Sequence, residues 1–282
     1  MHNEDYLPKL HEEIMVILDQ VVAICNRYHL KYYLIGGTLL GAVRHQGFIP
    51  WDDDLDIVMP RADFDLFINE YAKELPSPYT VKWINTDPNY FQVFAKVCNE
   101  KTLFAEMLGD EKLTNTGIFI DIFPLDEVKG RNNEVKRRKW LMSRIKIIMC
   151  SKAANSYNHV GQKFLANLLS IKRLHKMATR LMTKSNGKGY QYYANFGSQY
   201  SIDKQTHLIT SFGDGLLLDF EDKKYSVPVA YDTVLKSIFG NHYMDIPPEE
   251  KRRTHYPAKV VFSDGTSLEF DAPIKKLSVN EQ

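Results

Sequence analysis

Four aspartates lie within five positions, directly before a short apolar segment, and this cluster limits what the chain can fold into more than any other feature. They occupy residues 52–54 and 56, and no Lys or Arg occurs between positions 45 and 60. The apolar residues predict a strand over residues 55–59, whose alternation would place Asp54 and Asp56 on one face. Their repulsion indicates a bound cation, and Mg²⁺ or Mn²⁺ suits a few carboxylates plus substrate phosphates. A solvated acidic loop or a structural Ca²⁺ loop is the alternative interpretation.

A glycine turn lies upstream of these acids. Residues 31–35 predict a strand that ends at Gly36-Gly37, after which Thr38 begins a helix. Glycines let backbone N–H groups approach a phosphate, and a helix N-terminus adds a favourable dipole. Arg44 follows on the same helix and is either a clamp for phosphate oxygens or an ordinary surface arginine. We therefore predict that these four residues bind substrate phosphates.

One further acid lies inside an apolar segment. Asp121 is flanked by Ile and Phe on both sides over residues 118–123. A buried carboxylate in a strand is costly unless it is paired or bound to a metal. We predict that Asp121 completes a metal site with Asp54 and Asp56, or acts as general base on an acceptor hydroxyl.

The periodicity of apolar residues divides the chain into three parts and predicts the α+β class. Residues 1–128 are expected to form a catalytic core with a mixed β-sheet flanked by helices. Residues 129–190 form a basic helical segment, and residues 191–282 complete the active site and contain a β-hairpin at Ser263-Asp264-Gly265. Within the core, we predict helices over 10–28 and 64–71 and strands over 79–84, 91–97, 103–107 and 117–123.

Charge is unevenly distributed along the chain. The net charge is +1, yet the segment from Lys129 to Lys188 holds 16 Lys or Arg and a single acid, Glu134. Apolar residues at helical spacing, among them Trp140 and Phe164, predict two or three amphipathic helices there. Such a block typically faces a polyanion, for which we consider an anionic membrane surface, substrate phosphates and nucleic acid. A solvated helix face is the alternative.

The composition, with 44% hydrophobic and 25% charged residues, is that of a globular protein. The N-terminal residues are polar, and no segment approaches the ~18 apolar residues of a membrane span. Cys25, Cys98 and Cys150 form no Cys-x-x-Cys pair, so neither a disulfide nor a zinc site is expected. We expect a cytoplasmic protein, peripheral at the inner face of the cell membrane if its basic helices bind there.

Three segments resemble signatures of the LicD family of phosphocholine transferases, relatives of the fukutin-type ribitol-phosphate transferases. They are LIGGTLLGAVRHQGFIPWDDDLDI at 34–57, GIFIDIFPLD at 117–126 and GNHYMDIPPEEKRRTHYP at 240–257. The resemblance implies a nucleotidyltransferase-like fold and a CDP-alcohol donor, with CDP-choline favoured. The acceptor hydroxyl would attack the distal phosphate, so that CMP leaves.

The same resemblance implies an acceptor and assigns the metal ligands. The acceptor would be a glycan such as teichoic acid or lipopolysaccharide, built on a lipid carrier. The DxD acids map onto Asp54 and Asp56, and the third acid maps onto Asp121.

The third segment adds basic candidates near the C-terminus. Lys251, Arg252 and Arg253 are candidates to hold donor phosphates, with His255 in an acid or orienting role. A solvated charge run with a satisfied histidine is the alternative. A choline group would also need aromatic rings around its ammonium. The candidates, for each of which core or surface packing is the favoured interpretation, are Trp51, Tyr225, Tyr231, Phe239 and Tyr243.

Two other functions remain open from the sequence. The first is nucleotidyl transfer to a small molecule or protein, which the long spacing between Gly37 and Asp54 disfavours. The second is nucleic-acid binding by the basic segment, which would be steeply salt-dependent. Because no recognised nucleic-acid motif is present, we expect no nucleic-acid partner.

Overall fold

The computed structural model describes residues 6–108, 112–154, 168–252 and 257–270. Its helices are α1 (Leu7–Tyr28), α2 (Gly36–His45), α3 (Arg61–Leu66), α4 (Asn133–Ala154), α5 (Ile171–Thr183) and α6 (Tyr231–Phe239). Its strands are β1 (Tyr33–Leu34), β2 (Asp56–Pro60), β3 (Tyr79–Lys82), β4 (Ala95–Leu108), β5 (Lys112–Val128), β6 (Tyr192–Ala194), β7 (Thr206–Leu208), β8 (Leu216–Phe220), β9 (Lys223–Val227), β10 (Lys259–Val261) and β11 (Ser267–Glu269).

The central sheet is mixed, as the sequence predicted. Its described strands follow the order β1-β2-β5-β4-β10-β11, with β3 on β4 and with β6 and β7 continuing from β5. The β2–β5 pair is parallel, and the β4–β5 pair is antiparallel. Helices flank this sheet, so the predicted α+β class is confirmed.

Helix α1 lies against the long β4–β5 hairpin and covers its core. The apolar stripe that predicted this helix is buried, including Leu10, Ile14 and Ile17. A positive φ of 55° at His29 ends the helix, and the chain then enters β1. This packing fixes the strands on which the acidic residues lie.

Two strands predicted separately are one strand. The segments 91–97 and 103–107 were expected to be distinct, but β4 runs unbroken over Ala95–Leu108. A register shift between Asn99 and Phe104 bends it, and Gly117 of β5 accommodates the bend because a Cβ there would meet the Asn99 carbonyl oxygen. Residues 91–94 precede the strand. The apolar pattern therefore located the strand but not its continuity across the bulge.

The basic segment forms two described helices that pack against each other, α4 and α5. Arg138 of α4 is buried and donates to the carbonyl oxygens of Leu181 and Met182 near the C-terminal end of α5. These carbonyls lack helical partners, so the guanidinium caps α5. The predicted helical position Phe164 lies outside the described residues.

The C-terminal part contains the predicted hairpin and one that was missed. Strands β10 and β11 pair antiparallel around the predicted turn. Strands β8 and β9 form a separate two-stranded sheet, which the sequence analysis did not predict. Among the described residues, the helices lack the length and apolar character that crossing a bilayer requires.

Candidate metal and phosphate site

Asp56 and Asp121 are brought together by the parallel pairing of β2 and β5. They are register partners, with Asp56 opposite Asp121 and Ile57 opposite Ile122. Paired positions of adjacent strands project to the same face of a sheet, so the two carboxylates share one face. The backbone N–H of Asp121 donates to the carbonyl of Leu55 at 2.9 Å, which holds this register at the start of β2.

Burial and mutual repulsion oppose ionisation of both carboxyls. The pKa of Asp56 is raised well above its usual value, first by burial and then by the charges of Asp54, Asp121 and Asp52. Burial raises the pKa of Asp121 to about 6, and the ammonium of Lys96 limits that rise. Carboxyls with such pKa values are typical of functional sites, where a cation or substrate compensates the charge.

The glycine turn packs directly against these carboxylates. Helix α2 begins at Gly36 itself, two residues earlier than predicted, and Gly36 has a φ of 60°. A Cβ on Gly36 would lie 3.3 Å from Asp56 Oδ2, and one on Gly37 would lie 2.6 Å from Asp52 Oδ2. Thr38 Oγ1 accepts a hydrogen bond from the backbone N–H of Asp56 at 2.8 Å. The predicted phosphate turn and the acids therefore form one site.

Asp54 lies near this site, but not through the strand alternation that the sequence predicted. Strand β2 begins only at Asp56, so Asp54 lies in the preceding segment. Carboxylate oxygens of Asp52, Asp53 and Asp54 lie within 4.8 Å of one another. The charge of Asp54 acts on both Asp56 and Asp121. We use the name carboxylate cluster for Asp52, Asp54, Asp56 and Asp121.

His11 helps to hold the segment that carries the first of these acids. Its Nε2 lies 2.7 Å from the backbone carbonyl oxygen of Asp52, and its ring stacks on Phe48 at 3.9 Å. Burial lowers the pKa of His11, so the neutral ring, donating from Nε2, fits this position. Helix α1 thus positions the segment before β2, a contact the sequence analysis did not predict.

A divalent cation fits the carboxylate cluster on chemical grounds. Hard cations prefer several carboxylate oxygens. The cluster gathers them on neighbouring positions, because Asp56 and Asp121 are register partners and oxygens of Asp52 and Asp54 lie within 4.8 Å of each other. Asp121 Oδ1 is buried, and the Lys96 ammonium lies 2.9 Å from it. This one ammonium faces the charges of several carboxylates that act on Asp56 and Asp121, and a divalent cation would balance the excess negative charge.

Lys96 is the principal site residue that the sequence analysis missed. It is the register partner of Asp121 on β4, and its Nζ lies 2.9 Å from Asp121 Oδ1. The ammonium also lies 3.1 Å from the centre of the Phe119 ring. Only 7% of Lys96 is exposed. The alternation of β4 would have placed Lys96 on one sheet face, but only the pairing of β4 with β5 connects it to Asp121.

Arg44 is not adjacent to the glycine turn. It lies eight residues along α2 from Gly36, about 12 Å at the helical rise. Its Nη1 donates to the backbone carbonyl oxygens of Tyr243 at 3.1 Å and Asp245 at 3.0 Å. Arg44 therefore holds the 243–245 segment on α2, and its predicted phosphate contact stays a prediction.

Arg252 lies near the acidic segment through Trp51. Its guanidinium carbon is 4.5 Å from the centre of the Trp51 ring, and its Nε donates to the Pro247 carbonyl at 3.2 Å. Trp51 directly precedes the acids, so Arg252 lies near them, and its predicted phosphate contact stays a prediction. His255 and Arg253 lie outside the described residues.

The aromatic candidates for a choline group are scattered. Tyr225 and Tyr243 are buried, and their hydroxyls donate to Asp19 and Asp232. Tyr231 and Phe239 lie partly buried on α6. Tyr200, which was not predicted, packs edge-on against Phe239 at 5.8 Å. Burial, and then the charges of Asp52, Asp56 and Asp54, raises the pKa of Tyr200, so its hydroxyl is near the carboxylate cluster.

Comparison with known proteins gives a family match over the residues of this site. The model of the LicD/FKTN/FKRP nucleotidyltransferase domain matches residues 29–154, a range that contains the glycine turn and the whole carboxylate cluster. The chain is 29% identical over 251 residues to the lipopolysaccharide cholinephosphotransferase LicD of Haemophilus influenzae, covering 85% of this chain and 92% of that protein.

Two further matches are shorter. An uncharacterized protein of Rickettsia typhi is 32% identical over 116 residues, 40% of this chain and 37% of that protein. The ribitol 5-phosphate transferase FKRP of Homo sapiens is 49% identical over 37 residues, 13% of this chain and 8% of that protein.

Proposed function

We propose that this chain, whose residues 29–154 match the LicD domain model, transfers phosphocholine, or a related phosphoalcohol, from a CDP-alcohol to a glycan. CDP-choline is the favoured donor, CMP is the leaving group, and the acceptor is a lipopolysaccharide or teichoic acid precursor. The observation that carries the proposal is the pairing of Asp56 with Asp121 beside the Gly36-Gly37 turn. The likeness to a lipopolysaccharide cholinephosphotransferase over most of both chains supports the substrate class.

Asp54, Asp56 and Asp121 would hold the cation, Mg²⁺ or Mn²⁺. When bound, the cation would neutralise charge on the donor diphosphate and on the departing CMP. Asp52, whose carboxylate touches the Gly37 position, would orient the turn against the cluster.

The glycine turn would bind the donor phosphates. The first N–H groups of α2 lack helical partners and point along the helix axis toward its N-terminus. That terminus is at Gly36, next to Asp56. Donor phosphate oxygens at this point would accept from the N–H groups while lying beside the carboxylates that hold the cation.

The transfer itself needs one bond formed and one broken. The acceptor hydroxyl oxygen bonds to the phosphorus that carries the alcohol, and the bond from that phosphorus to the bridging oxygen breaks, so CMP leaves with that oxygen. The hydroxyl proton passes to a carboxylate of the cluster. Asp121 is the candidate for this role in the alternative in which Asp54 and Asp56 hold the cation without it, because its pKa in the metal-free site is raised to about 6.

The basic helices suggest where the acceptor is met. Seven exposed cations, which we call the outer basic face, project from α4 and α5 together with the exposed Trp140 and Met177. They are Lys136, Arg137, Arg144, Lys172, Arg173, Lys176 and Arg180. We propose that this face binds the anionic inner surface of the membrane, where a lipid-linked glycan would be presented.

A second candidate reaction is nucleotidyl transfer, which the name of the matched domain favours. The two reactions leave different halves of the donor on the acceptor. Phosphoalcohol transfer releases free CMP, whereas nucleotidyl transfer leaves the nucleoside monophosphate attached to the acceptor. Nucleic-acid binding is a third and weaker candidate, for which binding would not depend on Asp54 and Asp56.

The test is a donor panel with product analysis. Purified protein, Mg²⁺ and a cell-wall glycan acceptor are incubated with CDP-choline, CDP-ribitol, CDP-glycerol or CTP, and free CMP and the acceptor mass are measured. We expect CMP release from one CDP-alcohol, loss of that release in EDTA, and a phosphoalcohol on the acceptor. An acceptor that gains a nucleoside monophosphate instead would overturn the proposal in favour of nucleotidyl transfer.

A further inference from the structure

Helix α4 carries two lysines on its inner side that the proposed reaction does not yet use. Lys139 and Lys146 are seven residues apart, which places them on the same face of the helix. Both are partly buried, in contrast to the cations of the outer basic face. A buried ammonium is costly unless other groups compensate its charge, so each of the two lysines requires a physical reason.

The ammonium of Lys139 is compensated by backbone carbonyls. Its Nζ donates to the carbonyl oxygens of Phe196 at 2.7 Å and Ser198 at 2.5 Å. Ser198 Oγ in turn accepts from the backbone N–H of Tyr200. Lys139 therefore fixes the segment that carries Tyr200 beside the carboxylate cluster, and its role is structural.

The ammonium of Lys146 has no such compensation. Across the part of the chain that the structure describes, no hydrogen bond or ion pair to Lys146 is formed, and its Nζ lies 5.8 Å from the centre of the Phe94 ring. Burial lowers the pKa of this lysine. The position thus destabilises the ligand-free fold when it is charged.

Lys146 lies on the Asp121 side of the site. The Phe94 ring is also 5.8 Å from the ammonium of Lys96, which contacts Asp121. Phe94 packs on Phe123 of β5, two positions beyond Asp121, at 4.3 Å. After burial, Cys150, Asp121 and Lys96 act on the pKa of Lys146, in that order. Two buried ammonium groups therefore border one aromatic ring next to the proposed general base.

We propose that Lys146, with Lys96 beside it, forms an anion subsite that binds a phosphate group of a substrate. This inference rests on the proposed function and adds a specific residue to it. An anion of this kind would satisfy the Lys146 ammonium and balance its positive charge. The phosphate could belong to the donor diphosphate or to the lipid phosphate of the acceptor, since both present the same oxygens to a lysine.

The experiment compares binding and stability in Lys146→Met. Met keeps most of the apolar stem and removes the charge, so the fold should be kept. We measure the affinity of the Mg²⁺-loaded protein for CDP, for cytidine and for decyl phosphate, together with the thermal unfolding midpoint without ligand. Lys188→Met, which removes an exposed lysine outside the outer basic face, is the matched control. Lys146→Arg tests whether a different cationic side chain at this position preserves binding.

We expect Lys146→Met to weaken CDP or decyl phosphate binding about tenfold, the size of one lost charge-assisted hydrogen bond, with cytidine binding unchanged. Loss confined to CDP assigns the subsite to the donor, and loss confined to decyl phosphate assigns it to the acceptor. The unfolding midpoint should rise or stay unchanged. Unchanged binding of both phosphates, or an equal loss for cytidine, would overturn the inference.

These readings are independent of turnover. A protein that binds phosphates through Lys146 but fails the donor panel would refute only the proposed reaction. Wild-type transfer of phosphocholine with unaltered phosphate binding and kinetics in Lys146→Met would refute only the subsite.

Discussion

The carboxylate cluster and the helix pair α4–α5 each contain many charges of one sign, but the two regions differ in how those charges are compensated. In the cluster, acids crowd one face of the β2–β5 pair, and the Lys96 ammonium is a partial counter-charge for Asp121. On α4 and α5, most cations point to solvent, while Arg138 and Lys139 are satisfied by carbonyls. Lys146 is the inner cation that resembles the cluster, because it too is buried without full compensation.

The difference separates structural from functional charge. Charges that project to solvent cost the fold little. A buried charge that donates to carbonyls, as Lys139 does, keeps polar partners although burial still lowers its pKa to about 7. Charges that are buried against like charges, or without a partner, lower the stability of the ligand-free protein, and a bound ligand would recover that energy. Asp56 and Lys146 are of this second kind and carry opposite charges, and the charge of Asp121 acts on both of them.

The largest expected effect is at Asp56. Asp56→Asn should lower turnover about a thousandfold or more, because a bound metal contributes several kcal/mol of transition-state stabilisation. It should also raise the thermal midpoint in EDTA, since burial and neighbouring acids raise the pKa of this carboxyl and disfavour its charge. CMP release and thermal melting check both effects. Asp222→Asn, at an exposed position, is the control, and a destabilised but active Asp56→Asn protein would contradict the assignment.

Asp121 should respond in the opposite sense on stability. Asp121→Asn leaves the buried Lys96 ammonium without its counter-charge, which we expect to cost about 3 kcal/mol of unfolding free energy. The double variant Asp121→Asn with Lys96→Met should regain most of this stability but no turnover. Urea unfolding and CMP release measure the two quantities. Equal stability of wild type and Asp121→Asn would show that the Lys96 contact is not a working ion pair.

These acids also show how much of the site can be predicted from the sequence. The glycine turn, the Asp run and the lone Asp121 are local patterns, and strands over 55–59 and 117–123 follow from period two. That Asp56 lies next to Asp121 depends on the parallel pairing of β2 with β5, 65 positions apart in the chain. The periodicity of apolar residues does not predict this pairing. Lys96 and Tyr200 were missed for the same reason, because each is ordinary in its own segment and meets the acids only in the fold.

The basic segment was predicted from the sequence, but the division of its cations into exposed and inward-pointing ones was not. Sixteen cations identified a basic region, and apolar spacing identified helices. Which lysines point inward depends on how α4 packs on α5 and on residues 194–198, contacts distant in sequence. The sequence therefore predicted the outer basic face but not the separate roles of Lys139 and Lys146.

A histidine on the inner side of α5 allows the contrast between exposed and buried titratable groups to be tested through pH. Burial lowers the pKa of His175 to about 4, and its Nε2 lies 3.1 Å from the Gln92 carbonyl oxygen. Unfolded histidine titrates near 6.5, so between that pH and about 4 the unfolded chain binds a proton that the folded protein excludes. The free energy of unfolding should therefore fall as the pH drops through this window, by roughly 2 kcal/mol from His175.

His175→Gln should flatten that dependence. Urea titrations between pH 7 and 4 measure the slope, and His242→Gln, at an exposed position, serves as control. Identical slopes in wild type and His175→Gln would show that the pKa of His175 is the same in the folded and unfolded chains.

The smallest effects should be on the outer basic face. Each Lys or Arg near an anionic membrane contributes about 1 kcal/mol to binding. Arg137→Gln with Arg173→Gln should therefore reduce sedimentation with anionic liposomes at low salt and leave turnover on a soluble acceptor unchanged. The membrane proposal would be refuted if the wild type did not bind liposomes, or if it bound neutral and anionic liposomes equally.

A manganese titration tests the central claim most directly, that the carboxylate cluster binds the catalytic cation. Free Mn²⁺ is followed by electron paramagnetic resonance as it is added to wild type, Asp56→Asn and Asp222→Asn, each with CDP present. We predict that wild type and Asp222→Asn bind Mn²⁺ alike and that Asp56→Asn binds it at least about tenfold more weakly. Equal binding by all three proteins would place the cation elsewhere and contradict the account.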